Sequence, residues 1–298
     1  MSAARRTGLV VAHYGRGWAV EDEQGEIFLC HALRRIPLPC VGDRVRWEQT
    51  DPGHGRIVEV LPRKTLLTRP GRSGRPRPVA ANLDQVLVVI APEPLYDLLL
   101  VDQYLVVCEN HDLTPLIVVN KIDLLDPARR QRLDDDLAPY RVLYPVLEVS
   151  AKTGLGITAL RDALKDKASM FAGQSGVGKS SLLRTLIPDR DVRIGELSAT
   201  TRRGRHTTTT AMLFHLPEGG ILIDTPGVAV FGLASIDQRQ LAHGYREFRP
   251  YVPRCRFNDC RHVDDLGCAV REAVEKGKIS QARYRRYLKL LEKLPEIS

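Results

Sequence analysis

Gly173-Gln174-Ser175-Gly176-Val177-Gly178-Lys179-Ser180 is the stretch that decides the fold. It has the form Gly-x4-Gly-Lys-Ser, follows the apolar run Ser169 to Ala172 and leads into Ser181-Leu-Leu-Arg-Thr-Leu. Strand, glycine-rich turn and helix in that order are the context a phosphate-binding loop needs. The glycines let backbone N–H groups turn toward phosphate oxygens, and the start of the helix adds positive potential. Lys179 is then placed to reach the β- and γ-phosphates of a nucleotide and Ser180 to hold Mg²⁺, with Ser181 beside them as a further nucleotide-binding residue.

Around this loop the pattern is that of a parallel sheet covered by helices. Asp84 to Ala91 is a strand, a helix follows near 97–110, and Pro115 to Val119 is the next strand; further helices are expected near 127–138 and 155–166. Polar motifs stand at the strand ends. Asn120-Lys121-Ile122-Asp123 offers the two acceptor oxygens of Asp123 to the N1–H and 2-amino donors of guanine, which adenine lacks. Ser150-Ala151-Lys152 is placed to close over the base. Asp224-Thr-Pro-Gly227 follows the apolar run Gly220 to Ile223; the acid can serve the Mg²⁺ shell and the Gly227 N–H the γ-phosphate. Between them, Thr200 to Thr210 is polar and basic without large apolar residues, and forms a switch loop in which Thr208 or Thr209 completes the Mg²⁺ coordination.

The order of these motifs is unusual. In an ordinary GTPase the phosphate loop comes first; here Asn120–Asp123 and Ser150–Lys152 precede it, and the switch and Asp224–Gly227 follow. The same strand ends can be occupied if the chain is cut after Gly227 and the old termini are joined. Asp224–Gly227 then leads directly into the C-terminal residues.

Residues 7–61 alternate in five short strand-like runs separated by turn signals, as in a small closed barrel of the oligonucleotide-binding (OB) type; an SH3-like barrel has the same pattern. Residues 69–78, with four arginines and three prolines, are a basic linker or loop. In the tail, Cys255-x4-Cys260-x-His262-x5-Cys268 supplies three thiolates and an imidazole, a complete tetrahedral set for one structural Zn²⁺ with no position open for water. Cys30, Cys40 and Cys108 stand in apolar or strand-like contexts as ordinary buried thiols. Ser280 opens an amphipathic helix whose apolar stripe is Tyr284, Tyr287, Leu288, Leu291 and Leu294, with Arg283, Arg286, Lys289 and Lys293 on another face.

Charge follows the same division. The 298 residues carry a net +8, yet residues 83–232 hold 16 basic against 19 acidic side chains, so the excess sits on the flanks. That distribution points to a polyanionic partner such as nucleic acid, and Arg254, Arg256 and Arg261 lie among the metal ligands where an RNA backbone can dock. With 43% apolar and 27% charged residues the chain is globular rather than disordered or collagenous; no apolar run is long enough to span a bilayer, and the N-terminus lacks the apolar core of a signal peptide. The expected organisation is an OB-type barrel over 1–65, a basic linker over 66–82, a circularly permuted α/β P-loop GTPase domain over 83–232 and a mostly helical zinc-binding domain over 233–298.

Taken together, Asn120–Asp123, Ser150–Lys152, the loop 173–180, the run Gly204-Arg-His-Thr-Thr-Thr209, Asp224–Gly227 and the Cys/His tail resemble the bacterial small-ribosomal-subunit-dependent GTPase family (RsgA, also called YjeQ). The resemblance covers nearly the whole chain. It implies a cytoplasmic enzyme that converts GTP to GDP and phosphate late in maturation of the small (30S) subunit, is stimulated by that particle, and contacts its 16S rRNA through barrel and zinc module as a monomer. Two other functions fit the motifs: a regulatory GTPase with a protein partner, and a nucleic-acid binder whose GTPase domain senses nucleotide passively. Val228, after Gly227, cannot orient water as the glutamine of many GTPases does, so slow intrinsic hydrolysis is expected. His206 can supply the missing group, or can be a structural residue of the switch; both readings stand.

Overall fold

The computed structural model describes residues 5–14, 17–69, 71, 76–188, 211–225, 233 and 236–294. They group into two compact units, the first formed by residues 1–84, 157–171 and 180–229, the second by 85–156, 172–179 and 230–298.

In the first unit β1 (Arg6–Tyr14), β2 (Gly17–Glu21), β3 (Ile27–Ala32), β4 (Arg44–Asp51) and β5 (His54–Val60) form the barrel. β1 pairs with β2, β2 with β3, β3 with β5 in parallel, β5 with β4, and β4 back to β1. Closure in the order 1-2-3-5-4 is that of an OB-type barrel and decides against the SH3-like alternative. Alternation places Val10, Trp18, Val20, Cys30, Val45, Trp47 and Ile57 in its core. Burying an aliphatic side chain of this size contributes about 1.5–3 kcal/mol. A hairpin of β6 (Leu66–Arg69) and β7 (Arg77–Ala81) follows, with Leu67, Ala80 and Ala81 buried, so the chain on both sides of the basic stretch is folded.

The same unit contains α3 (Ile157–Leu164), β11 (Ala168–Ala172), α4 (Lys179–Leu186), β12 (Met212–His215) and β13 (Ile221–Asp224). β11 runs parallel to β13, β13 antiparallel to β12, and β12 pairs with β1 through Ala12 and Met212. The short β12 has no counterpart in the alternation of the sequence; pairing on both sides makes it a strand.

The second unit holds the parallel sheet β10–β9–β8, from β8 (Gln85–Ile90), β9 (Thr114–Val119) and β10 (Val146–Glu148). Every residue of β8 is buried, as in a parallel strand covered on both faces. Two helices belong to it, α1 (Leu98–Asn110) and α2 (Pro127–Arg141), each started by an aspartate that accepts a backbone N–H: Asp97 from Leu99, Asp126 from Arg129. The C-terminal layer is α5 (Gln238–His243), α6 (Ala269–Glu275) and α7 (Gln281–Leu291). Its core of Leu241, Tyr245, Phe248, Val270, Tyr287 and Leu290 is shared with Val106 of α1.

Ser280 caps α7, and Tyr287 and Leu291 face the core as the apolar stripe requires, joined by Leu290. Two of the four basic residues expected on another face are different. Arg283 is 1% exposed and Arg286 largely buried, both turned onto Asp102 of α1. Arg285, Lys289 and Lys293 are the cations that α7 and its end leave exposed. Burial of Arg283 is a tertiary effect: its partners lie far away in the chain.

Candidate nucleotide site and metal centre

The loop after β11 is shaped by glycines that have no substitute. Gly173 has φ +134°, and a Cβ there would lie 2.2 Å from the Val89 carbonyl oxygen. Gly178 has φ +95°, and a Cβ would meet Asn120 Nδ2 at 2.3 Å. Both positions demand left-hand φ and close approach at once.

Asn120 is the organiser of the second unit's site. Its Nδ2 donates to the Val177 carbonyl at 2.9 Å and its Oδ1 accepts from the Ala151 N–H at 3.1 Å. One buried amide therefore ties the phosphate loop to the Ser150–Lys152 turn. Lys121, itself at φ +61°, donates from Nζ to the carbonyls of Gly176 (2.7 Å) and Glu93 (2.8 Å). Ser150 Oγ donates to Asp123 Oδ1 at 2.6 Å, orienting an exposed carboxylate. Gln174 Nε2 donates to Leu95 O at 2.9 Å, and Lys179 Nζ to the carbonyls of Gly173 and Gln174 at 2.6 and 2.8 Å. Ser175 and Gly176 are exposed at the tip of the loop, while Val177 is buried beneath it; Lys152 is exposed beyond Ala151.

Asn120, Lys121, Asp123, Ser150, Ala151 and residues 173–179 are thus brought together. In the first unit, Ser180 and Ser181 follow Lys179 at the head of α4, and Asp224 ends β13 opposite Met212. The hydroxyl of Ser180 and the carboxylate of Asp224 are hard oxygen donors of the kind Mg²⁺ takes. His206, Thr208, Thr209, Gly227 and Val228 lie outside the described residues.

The tail forms a second site. Cys255 follows a short 3-10 turn (Val252–Arg254), His262 adopts φ +60° and is buried, and Cys268 caps α6, its Sγ accepting from Arg271 N–H at 3.5 Å. One donor atom from each of Cys255, Cys260, His262 and Cys268 lies within 4.8 Å of all the others. His262 Nδ1 is 3.7 Å from Cys255 Sγ and 3.5 Å from Cys268 Sγ. Metal bonds of ~2.3 Å to sulfur and ~2.0 Å to nitrogen at the tetrahedral angle set such edges at about 3.5 Å, so the donor set fits a tetrahedral ion. Burial pushes the Cys260 and Cys268 thiols up, the direction a bound cation reverses by taking thiolate. The knuckle is held from outside: Asp265 Oδ2 accepts from the N–H groups of Arg261 and Val263, and Tyr284 and Tyr287 donate to the carbonyls of His262 (2.6 Å) and Arg261 (2.9 Å). Around it Arg254, Arg256 and Arg261 are exposed.

Beside these sites is a cluster that motif reading missed. Asp102 of α1 accepts from Tyr140 Oη (2.6 Å), Arg283 Nη1 (2.5 Å) and Arg286 Nε (2.7 Å), and Arg283 also pairs with Glu247. Arg283 lies over the rings of Tyr140 and Tyr245. Burial and the Asp102 carboxylate hold the Tyr140 hydroxyl well above its usual range, so it remains a donor. A signal was present: Asp102 interrupts Leu98-Leu-Leu-Val-Asp102-Gln-Tyr-Leu-Val-Val-Cys108, a helix otherwise apolar nearly all round, where a charge must find a buried partner.

A phosphate loop that follows its own base-reading motifs in the chain, joined to a barrel and a Cys3His cluster, defines a circularly permuted GTPase. This chain belongs to the RsgA GTPase family, whose profile matches residues 60–234. It is 44% identical over 301 residues to the small ribosomal subunit biogenesis GTPase RsgA of Haemophilus influenzae (strain PittEE), covering 99% of this chain and 87% of the relative. The protein of the same name from Hahella chejuensis is 45% identical over 299 residues, with 99% and 86% covered. Among solved structures, YjeQ from Thermotoga maritima superposes with a TM-score of 0.81 at 38% identity, over 99% of this chain and 100% of that one. YloQ, described as a circularly permuted GTPase, gives 0.74 at 29% identity over 97% and 95%. Among the described residues no helix is long and apolar enough to cross a membrane.

Proposed function

We propose that this chain is a cytoplasmic, monomeric GTP hydrolase that acts late in assembly of the small ribosomal subunit, binding 16S rRNA through its barrel and zinc module and leaving after hydrolysis. The observation that carries the nucleotide reading is Asn120, whose amide joins the phosphate loop at Val177 to the base-side turn at Ala151. Near-full-length identity to relatives named for small-subunit biogenesis supports the ribosomal partner. The exposed arginines of the metal knuckle, of which Arg254 lies over the Tyr251 ring and Arg256 over the Phe257 ring, support RNA contact through phosphates.

In this reading Asp123, oriented by Ser150, accepts from the two guanine donors, and Lys121 braces the loop at Gly176. The N–H groups of residues 174–179 and the Lys179 ammonium hold the phosphates. Ser180, Asp224 and Thr208 or Thr209 would hold Mg²⁺, which neutralises charge on the β- and γ-oxygens when bound. Gly227 meets the γ-phosphate, and His206 orients the attacking water. Cys255, Cys260, His262 and Cys268 hold one structural Zn²⁺.

Two measurements test this. GTP turnover is expected to rise by about a hundredfold or more on adding isolated small subunits, the scale of a supplied acid–base group. His206→Ala removes that rise while GTP binding persists. Unstimulated turnover in the presence of bound subunits overturns the enzymatic role, and absence of any interaction overturns the ribosomal one. Asp123→Asn is expected to weaken GDP by on the order of a hundredfold, because an amide N–H faces the guanine donors. Xanthosine diphosphate, with a carbonyl in place of the 2-amino group, regains affinity in that variant. Unchanged GDP affinity removes Asp123 from its role.

A further inference from the structure

We propose that α1 couples the nucleotide site to the C-terminal helical layer, Tyr104 positioning the phosphate loop and Asp102 carrying the state of that loop to α7. The proposal rests on the reading of residues 173–180 as a phosphate loop, and the test below separates the two. Residues two apart on a helix point to opposed sides, about 200° around the axis. Tyr104 and Asp102 use that geometry to serve two different partners.

On one side, Tyr104 is 1% exposed and packs against the backbone of Gly173, the first residue of the loop, with its hydroxyl in the field of that backbone. Leu100, Val101 and Tyr104 close against Gly173 and Gln174, leaving a gap of about 10 Å³, no more than one water requires. Gln174 is also bonded to Leu95 O, two residues before the Asp97 cap of α1. Gly173 cannot give way at its back, where the Val89 carbonyl leaves no room even for a Cβ. A change in the loop therefore reaches α1 without slack.

On the other side, Asp102 is fully buried and holds both Arg283 and Arg286 of α7. α1 cannot slide along α7 without exposing a buried carboxylate and two guanidinium groups to an apolar surround, which is strongly unfavourable. The contact transmits displacement instead of absorbing it. The α1 route depends only on occupancy of the loop, so GDP is sufficient to engage it.

Hydrogen exchange of the full-length protein, with and without GDP at about a hundred times its dissociation constant, tests the coupling. Amides of α1 and α7 are expected to exchange at least tenfold more slowly with GDP; complete linkage sets a ceiling of about a hundredfold. Tyr104→Phe, which keeps the ring and loses the hydroxyl, is expected to weaken GDP about fivefold. It also shrinks the protection of α7 at equal GDP occupancy, an effect that a merely packing role for Tyr104 does not produce. GDP binding with unchanged α7 exchange overturns the coupling alone, as does wild-type behaviour of Tyr104→Phe on both measures. Failure of GDP to bind overturns the nucleotide reading and the coupling with it.

Discussion

Stripping the metal from Cys255, Cys260, His262 and Cys268 with a chelator is expected to unfold the knuckle over residues 255–268 and to loosen α6 and α7 against it. Apparent binding energies of structural zinc in small domains are about 10–16 kcal/mol, comparable with the whole stability of an ordinary domain. This knuckle has little else to hold it. Residues 255–268 contribute few large apolar side chains, and Phe257 and Leu266 are exposed, at 45% and 70%. What the knuckle does have are bonds that presuppose its shape: Tyr284 and Tyr287 to the carbonyls beside His262, and Cys268 capping α6. The core of Tyr245, Phe248 and Tyr287 remains, so the loss is confined to the C-terminal layer. Metal analysis, tyrosine fluorescence and exchange over residues 249–294 check it. A purified protein without stoichiometric zinc, whose C-terminal layer melts identically with and without chelator, would falsify the metal assignment.

Asp102→Ala is expected to destabilise the second unit by about 3–5 kcal/mol, the cost of leaving a buried cation without its partner. Two carboxylates, Asp102 and Glu247, balance two guanidinium groups, Arg283 and Arg286, in the native cluster. Removing one acid leaves an excess positive charge among the rings of Tyr140, Tyr144 and Tyr245, where water does not reach. Arginine does not escape by losing its proton, since a guanidinium stays protonated in proteins and Glu247 still pairs with Arg283. Asp102→Leu combined with Glu247→Leu, Arg283→Met and Arg286→Leu replaces all four charges by apolar groups and is expected to recover most of the loss. At about 2–4 °C per kcal/mol for a body of this size, the single variant shifts the melting transition by roughly 10 °C. A shift of a degree or less shows that the cluster is solvated in solution and carries no such load.

The two sites differ in how much of them was legible. Residues 173–180, Asn120–Asp123, Ser150–Lys152 and Cys255–Cys268 are local motifs: each needs particular residue types at fixed short spacing because backbone geometry and ligand chemistry demand it. The parallel sheet was legible through β8, whose five consecutive apolar residues, Val86 to Ile90, have no other stable environment. The role of Asn120 as the tie between two motifs was not, because its partners at Val177 and Ala151 lie 57 and 31 residues away. The fate of the basic residues divides in the same way. Arg254, Arg256 and Arg261 stay exposed among the metal ligands as their spacing implied, whereas Arg283 and Arg286 are drawn inside by an acid on a distant helix.

By itself the sequence determined the class of protein: the motifs of a GTPase in permuted order and a Cys3His set, all functions of spacing along the chain. The tertiary structure decided the barrel's closure in the order 1-2-3-5-4 and the burial of Arg283. It also decided the service of α1 to both the loop and α7. These depend on which distant residues meet. Strand order follows from pairing between non-neighbouring segments, and a charge is buried only where the fold supplies its counter-charge.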